Sequence, residues 1–294
     1  MTSHRIGLLG SHIGTSLSPT LHEAEAEASA LGLAGYRYEL LDLETLGRAP
    51  EEAAAVLREA LQQGFTGFNV THPCKQTVIA GLDALHPDAE ALGAVNTVAV
   101  EPDGRLVGHN TDHSGFLAAF RMGLPDVDLA EVVLTGAGGA GAAVAHALAD
   151  AGVERLVVAD VMAERASELA EQMARQHPGT RAEVMAADRA AARVATASGV
   201  VNASPVGMEG FPGLPFDVLV LRPEHWVADI VYRPVRTALL AAAAQRGCRI
   251  LDGAQMLVAQ AADTFALLTR TAPDRDRMRR HLHDVLAARP VLAS

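Results

Sequence analysis

Short apolar runs alternate along this chain with longer stretches in which alanine and leucine recur at helical spacing. The pattern predicts strands over Arg5–Leu9, Tyr36–Leu41 and Gly67–Val70, with helices over Thr20–Leu31 and Glu51–Gln63 between them. Thr77–Leu85 and Asp88–Leu92 read as helical, and Ala94–Val100 and Arg105–Gly108 as extended. Glu101-Pro102-Asp103-Gly104 joins the last two as a hairpin turn. A hairpin among strand–helix–strand units implies a mixed sheet.

A helix over Gly115–Met122 leads into a second series. Strands are predicted at Val132–Thr135, Arg155–Asp160, Arg181–Met185, Gly199–Asn202 and Trp226–Ile230, separated by helical or turn-rich stretches. This is the rhythm of a doubly wound sheet. From Gly253 the pattern is continuously helical, with Met256, Gln260, Asp263 and Leu267 on one face. The expected fold is α/β with two domains. A mixed-sheet substrate domain spans 1–112 and is completed by C-terminal helices over 253–294. A Rossmann-like dinucleotide domain spans 113–252.

The run Val132-Val133-Leu134 is followed by Gly136-Ala137-Gly138-Gly139-Ala140-Gly141 and an alanine-rich helix. The first glycine permits a tight turn, the second lets backbone approach a pyrophosphate, and the third lets helix and strand pack closely. The helix N-terminus adds unpaired N–H groups and a positive dipole. Asp160 ends the next apolar run, roughly 20 residues beyond Gly141, where a carboxylate accepts hydrogen bonds from a ribose diol. It would repel an added 2′-phosphate by ~1 kcal/mol in water and about 4 at an effective dielectric near 20, for charges about 4 Å apart. NAD is expected over NADP. Arg165 complicates this: it could neutralise Asp160, meet a phosphate, or be a solvated arginine on a helix face.

Composition narrows the partners. A formal net charge of −11 argues against nucleic acid or an anionic membrane. Two cysteines, Cys74 and Cys248, make no disulfide framework, and no Cys/His cluster has zinc-ligand spacing, so no metal is expected. There is no signal-peptide pattern and no apolar run long enough for a bilayer. A soluble cytoplasmic protein, monomer or homodimer, is expected.

Polar residues cluster at element ends of the first domain: Ser16 and Ser18, then Asn69, Thr71, His72 and Lys75, then Asn96-Thr97 and Asn110-Thr111-Asp112. Singly, such residues usually satisfy turns and caps. Together they form a neutral hydrogen-bonding set with one lysine and one carboxylate, suited to a polyhydroxylated small molecule. Cys74 has no partner to make it a nucleophile and reads as packing.

Gly7-Leu8-Leu9-Gly10 with Ser16-Leu17-Ser18-Pro19 resembles the N-terminal signature of the shikimate and quinate/shikimate dehydrogenases. Asn69-Val70-Thr71, Pro73 and Lys75, Gly93-Ala94-Val95-Asn96-Thr97 and Gly108-His109-Asn110-Thr111-Asp112 match in order and spacing. So do Gly136–Gly141, Asn202–Met208, Asp229-Ile230-Val231-Tyr232, Asp252-Gly253 and Met256–Gln260. The resemblance implies reversible hydride transfer between a ring secondary alcohol and a nicotinamide, shikimate giving 3-dehydroshikimate and quinate 3-dehydroquinate. It implies Lys75 and Asp112 as the catalytic pair, with Lys75 the proton acceptor. Ser16, Ser18, Thr71, Asn96, Tyr232 and Gln260 would hold substrate. The loop Gly136, Ala137, Gly138, Gly139 and Ala140, with Asp160, Arg165, Ile230 and Gly253, would hold cofactor. A carboxylate close to a lysine favours its charged form, so Asp112 is read chiefly as orienting the lysine and the hydroxyl.

The chain departs from the family pattern in places. Many NADP-preferring members carry Asn-Arg-Thr where Asp160-Val161-Met162 stands here, so this chain looks more like the NAD-using quinate/shikimate branch. His113 replaces a common glycine, and Ala238 a proline that often follows Thr237. Some quinate-active members have threonine at the position of Ser18, and a methyl is worth roughly 1–3 kcal/mol, so dual use stays open. The rival readings are a quinate or aminoshikimate specialist and a non-catalytic metabolite sensor on the same fold.

Overall fold

A computed structural model describes residues 4–29 and 35–288. The chain forms two compact units, Met1–Thr111 with Gln260–Ser294, and Asp112–Ala259. Two residue groups therefore fall differently from expectation. Asp112, and Gly253–Ala259 at the start of the helix Gly253–Thr269, belong to the second unit. The cause for Gly253 is close packing: a Cβ there would lie 2.3 Å from the Ile230 carbonyl oxygen, and Met256 joins the second unit's core.

The first unit holds a six-stranded sheet of β1 (His4–Gly10), β2 (Tyr36–Asp42), β3 (Gly67–Val70), β4 (Ala84–Leu85), β5 (Thr97–Val100) and β6 (Leu106–His109), in the order β2-β1-β3-β5-β6-β4. β1 pairs in parallel with β2 and β3, β5 antiparallel with β3 and β6, and β4 in parallel with β6, so the sheet is mixed. Ile6 and Leu8 enter one core with Tyr36, Tyr38 and Phe265, while Leu9 enters another with Leu57, Phe68 and Val98. Burial on both faces explains why β1 reads as an apolar run rather than an alternation. At the hairpin, Gly104 takes φ +84° and donates to the Glu101 carbonyl at 2.8 Å.

Three expectations change. The helix predicted over Thr77–Leu85 is a 3₁₀ turn, Thr77–Gly81, followed by β4. Asp83 draws this segment into the sheet: its backbone donates to the Leu106 carbonyl at 2.9 Å and its carboxylate accepts the Leu106 N–H at 2.8 Å. The C-terminal helical run is two helices, Gly253–Thr269 and Arg275–Ala288, broken where Arg270 takes φ +57° ahead of Pro273. The first helix spans Ser18–Ala28 with Pro19 in its first turn, and Leu31, its expected end, lies outside the described residues, as do residues 1–3 and 289–294 of the expected domain spans.

The second unit is a parallel sheet of β7 (Glu131–Thr135), β8 (Arg155–Asp160), β9 (Arg181–Ala186), β10 (Gly199–Asn202), β11 (Trp226–Asp229) and β12 (Arg249–Leu251), ordered β12-β11-β10-β7-β8-β9. All five neighbouring pairs are parallel. The order reverses between β7 and β10, the switch point beside which doubly wound sheets bind ligands. β12 escaped the sequence pattern because it has three residues, two of them exposed. Trp226 is buried over Gly199, where a Cβ would fall 2.0 Å from the indole, and donates to the Asp128 carbonyl at 2.8 Å.

Candidate active site

In the second unit the glycine turn follows β7. Gly136 takes φ +97°, and a Cβ there would meet the Ser204 nitrogen at 2.6 Å. A Cβ on Gly141 would lie 2.1 Å from the Gly136 carbonyl oxygen, so only glycine lets the helix Gly139–Ala151 start so close to the strand. Gly138 is different: a Cβ there would meet nothing within 4 Å, and no side chain caps the helix. The second glycine thus borders open space at an uncapped helix N-terminus, a donor set that fits a pyrophosphate.

Asp160 ends β8 half-buried. One carboxylate oxygen accepts the Ala137 N–H at 2.7 Å and the other the Met162 N–H at 2.8 Å. The carboxylate therefore fastens the glycine turn to the neighbouring strand. Val161 and Met162 beside it are exposed. Arg165, exposed in the helix Ala163–Gln176, makes no ion pair with Asp160 or any other carboxylate among the described residues.

Along the ends of β7, β10 and β11 runs a buried polar chain. The Asn202 amide donates to Asp229 and to the Val206 carbonyl, both at 3.0 Å, and its oxygen accepts from the hydroxyls of Thr135 at 3.0 Å and Ser204 at 2.6 Å. Asp229 also accepts from the Thr237 hydroxyl at 2.7 Å and the Val231 N–H at 3.0 Å. Burial pushes the Asp229 carboxyl up to about 6, against the pull of these three donors. Ile230 and Tyr232 follow directly, both half-buried, and Gly253 packs against the Ile230 backbone.

In the first unit, Ser16 and Ser18 open the helix Ser18–Ala28, with the Ser16 hydroxyl accepting the Ser18 N–H at 3.3 Å. Thr71 sits at the end of β3, its N–H donating to the Leu9 carbonyl at 2.9 Å. Lys75 is half-buried in the following turn, and its carbonyl accepts the Val95 N–H at 2.8 Å, which joins the lysine turn to the segment carrying Asn96. Asn96 is buried: its oxygen accepts the Thr111 N–H at 2.8 Å and its amide donates to the Thr111 hydroxyl at 2.9 Å. Asp112, 6% exposed and the first residue of the second unit, comes next in the first turn of the helix Thr111–Gly123. Gln260 lies half-buried in the helix Gly253–Thr269. Burial pushes the Cys74 thiol up to about 11, as expected for a packing residue.

Sequence reasoning missed what holds this set. Thr264, wholly buried, lies 3.0 Å from the hydroxyls of both Thr97 and Thr111. Asn69 accepts from the Tyr38 hydroxyl at 2.7 Å and donates to the Asn96 carbonyl at 3.3 Å. The available signal was spacing: Thr264 lies four residues after Gln260, on the same helix face. Asp229 and Thr237 were likewise given no role. Among the described residues, no group of three or more His, Cys, Asp or Glu could hold a metal ion, and no helix is long and apolar enough to cross a membrane.

Comparison with known proteins decides the lineage. Residues 8–98 match the family described as shikimate dehydrogenase substrate binding domain, and residues 118–204 match shikimate / quinate 5-dehydrogenase. A shikimate dehydrogenase (NADP(+)) of Streptomyces avermitilis is 50% identical over 276 residues, 94% of each chain. The chain belongs to the shikimate/quinate dehydrogenase family. A quinate/shikimate dehydrogenase (NAD(+)) of Corynebacterium efficiens is 44% identical over 274 residues, covering 93% of this chain and 95% of that one. The structure of quinate dehydrogenase from Corynebacterium glutamicum in complex with NAD superposes with a TM-score of 0.88 at 41% identity, over 97% of this chain and all of that one. The two-domain α/β fold, one mixed sheet and one parallel, is that of the shikimate/quinate dehydrogenases. The matched segments contain Ser16, Ser18, Thr71, Lys75, Asn96, the glycine turn and Asp160, whereas Asp112, Ile230, Tyr232, Gly253 and Gln260 lie outside them.

Proposed function

We propose that this protein catalyses reversible hydride transfer between the ring secondary alcohol of shikimate, with quinate as a second substrate, and a nicotinamide dinucleotide, NAD in preference to NADP. The conjunction that carries the reading is an open glycine cradle fastened by Asp160 in one unit, and Lys75 among hydroxyl-recognising side chains in the other. Bound nicotinamide supplies the hydride acceptor. Lys75 takes the proton of the substrate hydroxyl as the hydride leaves, since a base within hydrogen-bond reach lowers that barrier. Asp112 orients the lysine and the hydroxyl. Its place in the chain supports this role, because Thr111 before it is gripped by Asn96 at both backbone and side chain. Ser16, Ser18, Thr71, Asn96, Tyr232 and Gln260 hold the substrate's remaining oxygens. The first unit is read as the substrate domain and the second as the dinucleotide domain. The negative net charge suits a cytoplasmic monomer or homodimer acting on a small molecule.

A second reading, NADP use, is favoured by exposed Arg165, which has no ion pair among the described residues, and by relatives named NADP(+). Initial rates with shikimate and quinate, each against NAD and NADP, test both. The proposal expects NAD reduction with shikimate; no reduction of either dinucleotide by either polyol would make the protein a sensor on this fold.

A further inference from the structure

We propose that Asp229 and Thr237 form a positioning pair that fixes the backbone of Ile230–Tyr232, and with it the seating of the nicotinamide end of the cofactor. The inference rests on the dinucleotide reading above and adds two residues to which that reading gives no part.

Asp229, Thr237 and Asn202 are each almost wholly buried. A carboxylate taken out of water is costly unless charge or hydrogen bonds compensate. Among the described residues Asp229 has no cationic partner in an ion pair; its three donors are neutral. A packed apolar side chain would stabilise the sheet more simply at this point. What the carboxylate adds is connection, because one group ties its own following turn to Asn202 on the neighbouring strand and to Thr237 at the next helix.

One of those bonds fixes the proposed site directly. The Val231 N–H donates to Asp229, so the peptide between Ile230 and Val231 cannot turn without breaking it. On its carbonyl side the same peptide abuts Gly253, where a Cβ would lie 2.3 Å from the Ile230 oxygen. The segment is thus clasped from both sides. Thr237 makes the clasp rigid: its hydroxyl donates to Asp229 while accepting the Leu240 N–H at 3.2 Å, which caps the helix Ala238–Gln245. Asn202 carries the connection on to Ser204 and Thr135, and Ala203–Ser204 is the backbone on which Gly136 rests. The same buried chain therefore runs from the end of the glycine cradle to the segment proposed to meet the nicotinamide, along neighbouring strand ends beside the switch point.

The test compares wild type with Thr237→Val, which keeps shape and removes the donor, and Thr237→Ser, which restores it. Binding of NADH and of ADP-ribose, which lacks the nicotinamide, is titrated alongside kcat, KM and thermal melting. The expected result is that Thr237→Val leaves ADP-ribose affinity unchanged, weakens NADH selectively, and lowers kcat by on the order of tenfold to a hundredfold, as misplacement of reacting groups does. Thr237→Ser should recover both. If Thr237→Val does not fold, isosteric Asp229→Asn, which loses one acceptor, is read by the same comparison. A lowered melting temperature with unchanged kcat and an unchanged ratio of NADH to ADP-ribose affinity would make the pair purely structural and overturn the inference. Wild-type protein that binds none of NADH, NADPH and ADP-ribose would overturn the dinucleotide reading, and this inference with it.

Discussion

The proposed preference for NAD rests on Asp160 and is the sharpest point to test, because relatives of comparable similarity are named for both NAD and NADP. The perturbation is Asp160→Ser. At about 4 Å from a 2′-phosphate, each pair of unit charges repels by ~1 kcal/mol in water and about 4 at an effective dielectric near 20. Tenfold corresponds to about 1.4 kcal/mol, so these limits are about fivefold and about a thousandfold. Asp160 is half-buried and its neighbours Val161 and Met162 are exposed, which places it toward the wetter limit. Wild type should then favour NAD by about tenfold to a hundredfold in kcat/KM, less so at high salt. The substitution has a second effect that charge alone would not suggest. Serine can accept only part of what the carboxylate accepts from the Ala137 and Met162 N–H groups. The glycine turn loosens, so NAD turnover should fall even as the penalty on NADP is lifted. Initial rates with both cofactors, for wild type, Asp160→Ser and Arg165→Ala, separate these effects. Wild type that uses NADP as well as or better than NAD would refute the charge argument. A sharp loss of NADP turnover in Arg165→Ala would assign the arginine to the phosphate.

The other predictions concern chemistry and stability in the first unit and one buried carboxyl of the second. Lys75→Ala should lower kcat by about 10²–10⁴-fold, the usual worth of a positioned acid–base group, with substrate affinity little changed; an unaltered kcat removes the lysine from the mechanism. The Glu25 carboxylate has no solvent exposure and accepts from Arg277 at 2.6 and 2.9 Å and from the Asp274 N–H at 2.8 Å. Glu25→Ala should cost about 3 kcal/mol in urea unfolding, the low end for a broken buried pair because Arg277 can turn to solvent; a change within about 0.5 kcal/mol would show that the pair does not pin the last helix. His22 is fully buried against the Tyr36 hydroxyl, and desolvation lowers its pKa to about 3. Its contribution is intact above the unfolded value of 6.5 and is lost as pH falls below it, amounting to about 2 kcal/mol at pH 5. Asp229 works the other way: its folded value of about 6 exceeds 3.8, so its contribution is present below 3.8 and lost as pH rises through 6. Urea midpoints at pH 7 and pH 5 for wild type and His22→Gln isolate the histidine, and equal pH dependence in the two would refute it.

What could be read from the sequence follows the range of the interactions involved. The glycine turn and the strands around it were legible because their causes lie within a few residues: an apolar run, a positive φ at Gly136, a helix that starts against the strand. β4 was not, because Ala84–Leu85 is extended only through what Asp83 does with Leu106 on another strand. The break in the C-terminal helices was marked only by Pro273, which alanine and leucine spacing on either side outweighed. Thr264 was invisible as a site-builder for the same reason as β4. Its partners Thr97 and Thr111 are more than 150 residues away, and the one local cue, its place four residues after Gln260 on the same helix face, does not say what it meets.

Both units use a buried asparagine at a strand end that must donate as well as accept, whereas Asp160 and Asp229 end strands where their neighbours only donate. Asn96 and Asn202 are each buried at the end of a strand, and each both accepts and donates. A carboxylate could accept from Thr111 or Ser204, but it would abandon the donor bonds to the Thr111 hydroxyl and to the Val206 carbonyl. At Asn202 it would also set a second negative group against Asp229, now 3.0 Å from the amide nitrogen. The neutral amide lets the Asp229 carboxylate sit among neutral donors alone. In the proposed function the charges that act are three: Lys75 and Asp112 for the proton, and Asp160 for the ribose. Placement of those three depends on neutral, buried neighbours, which is why the groups that position the chemistry outnumber those proposed to perform it.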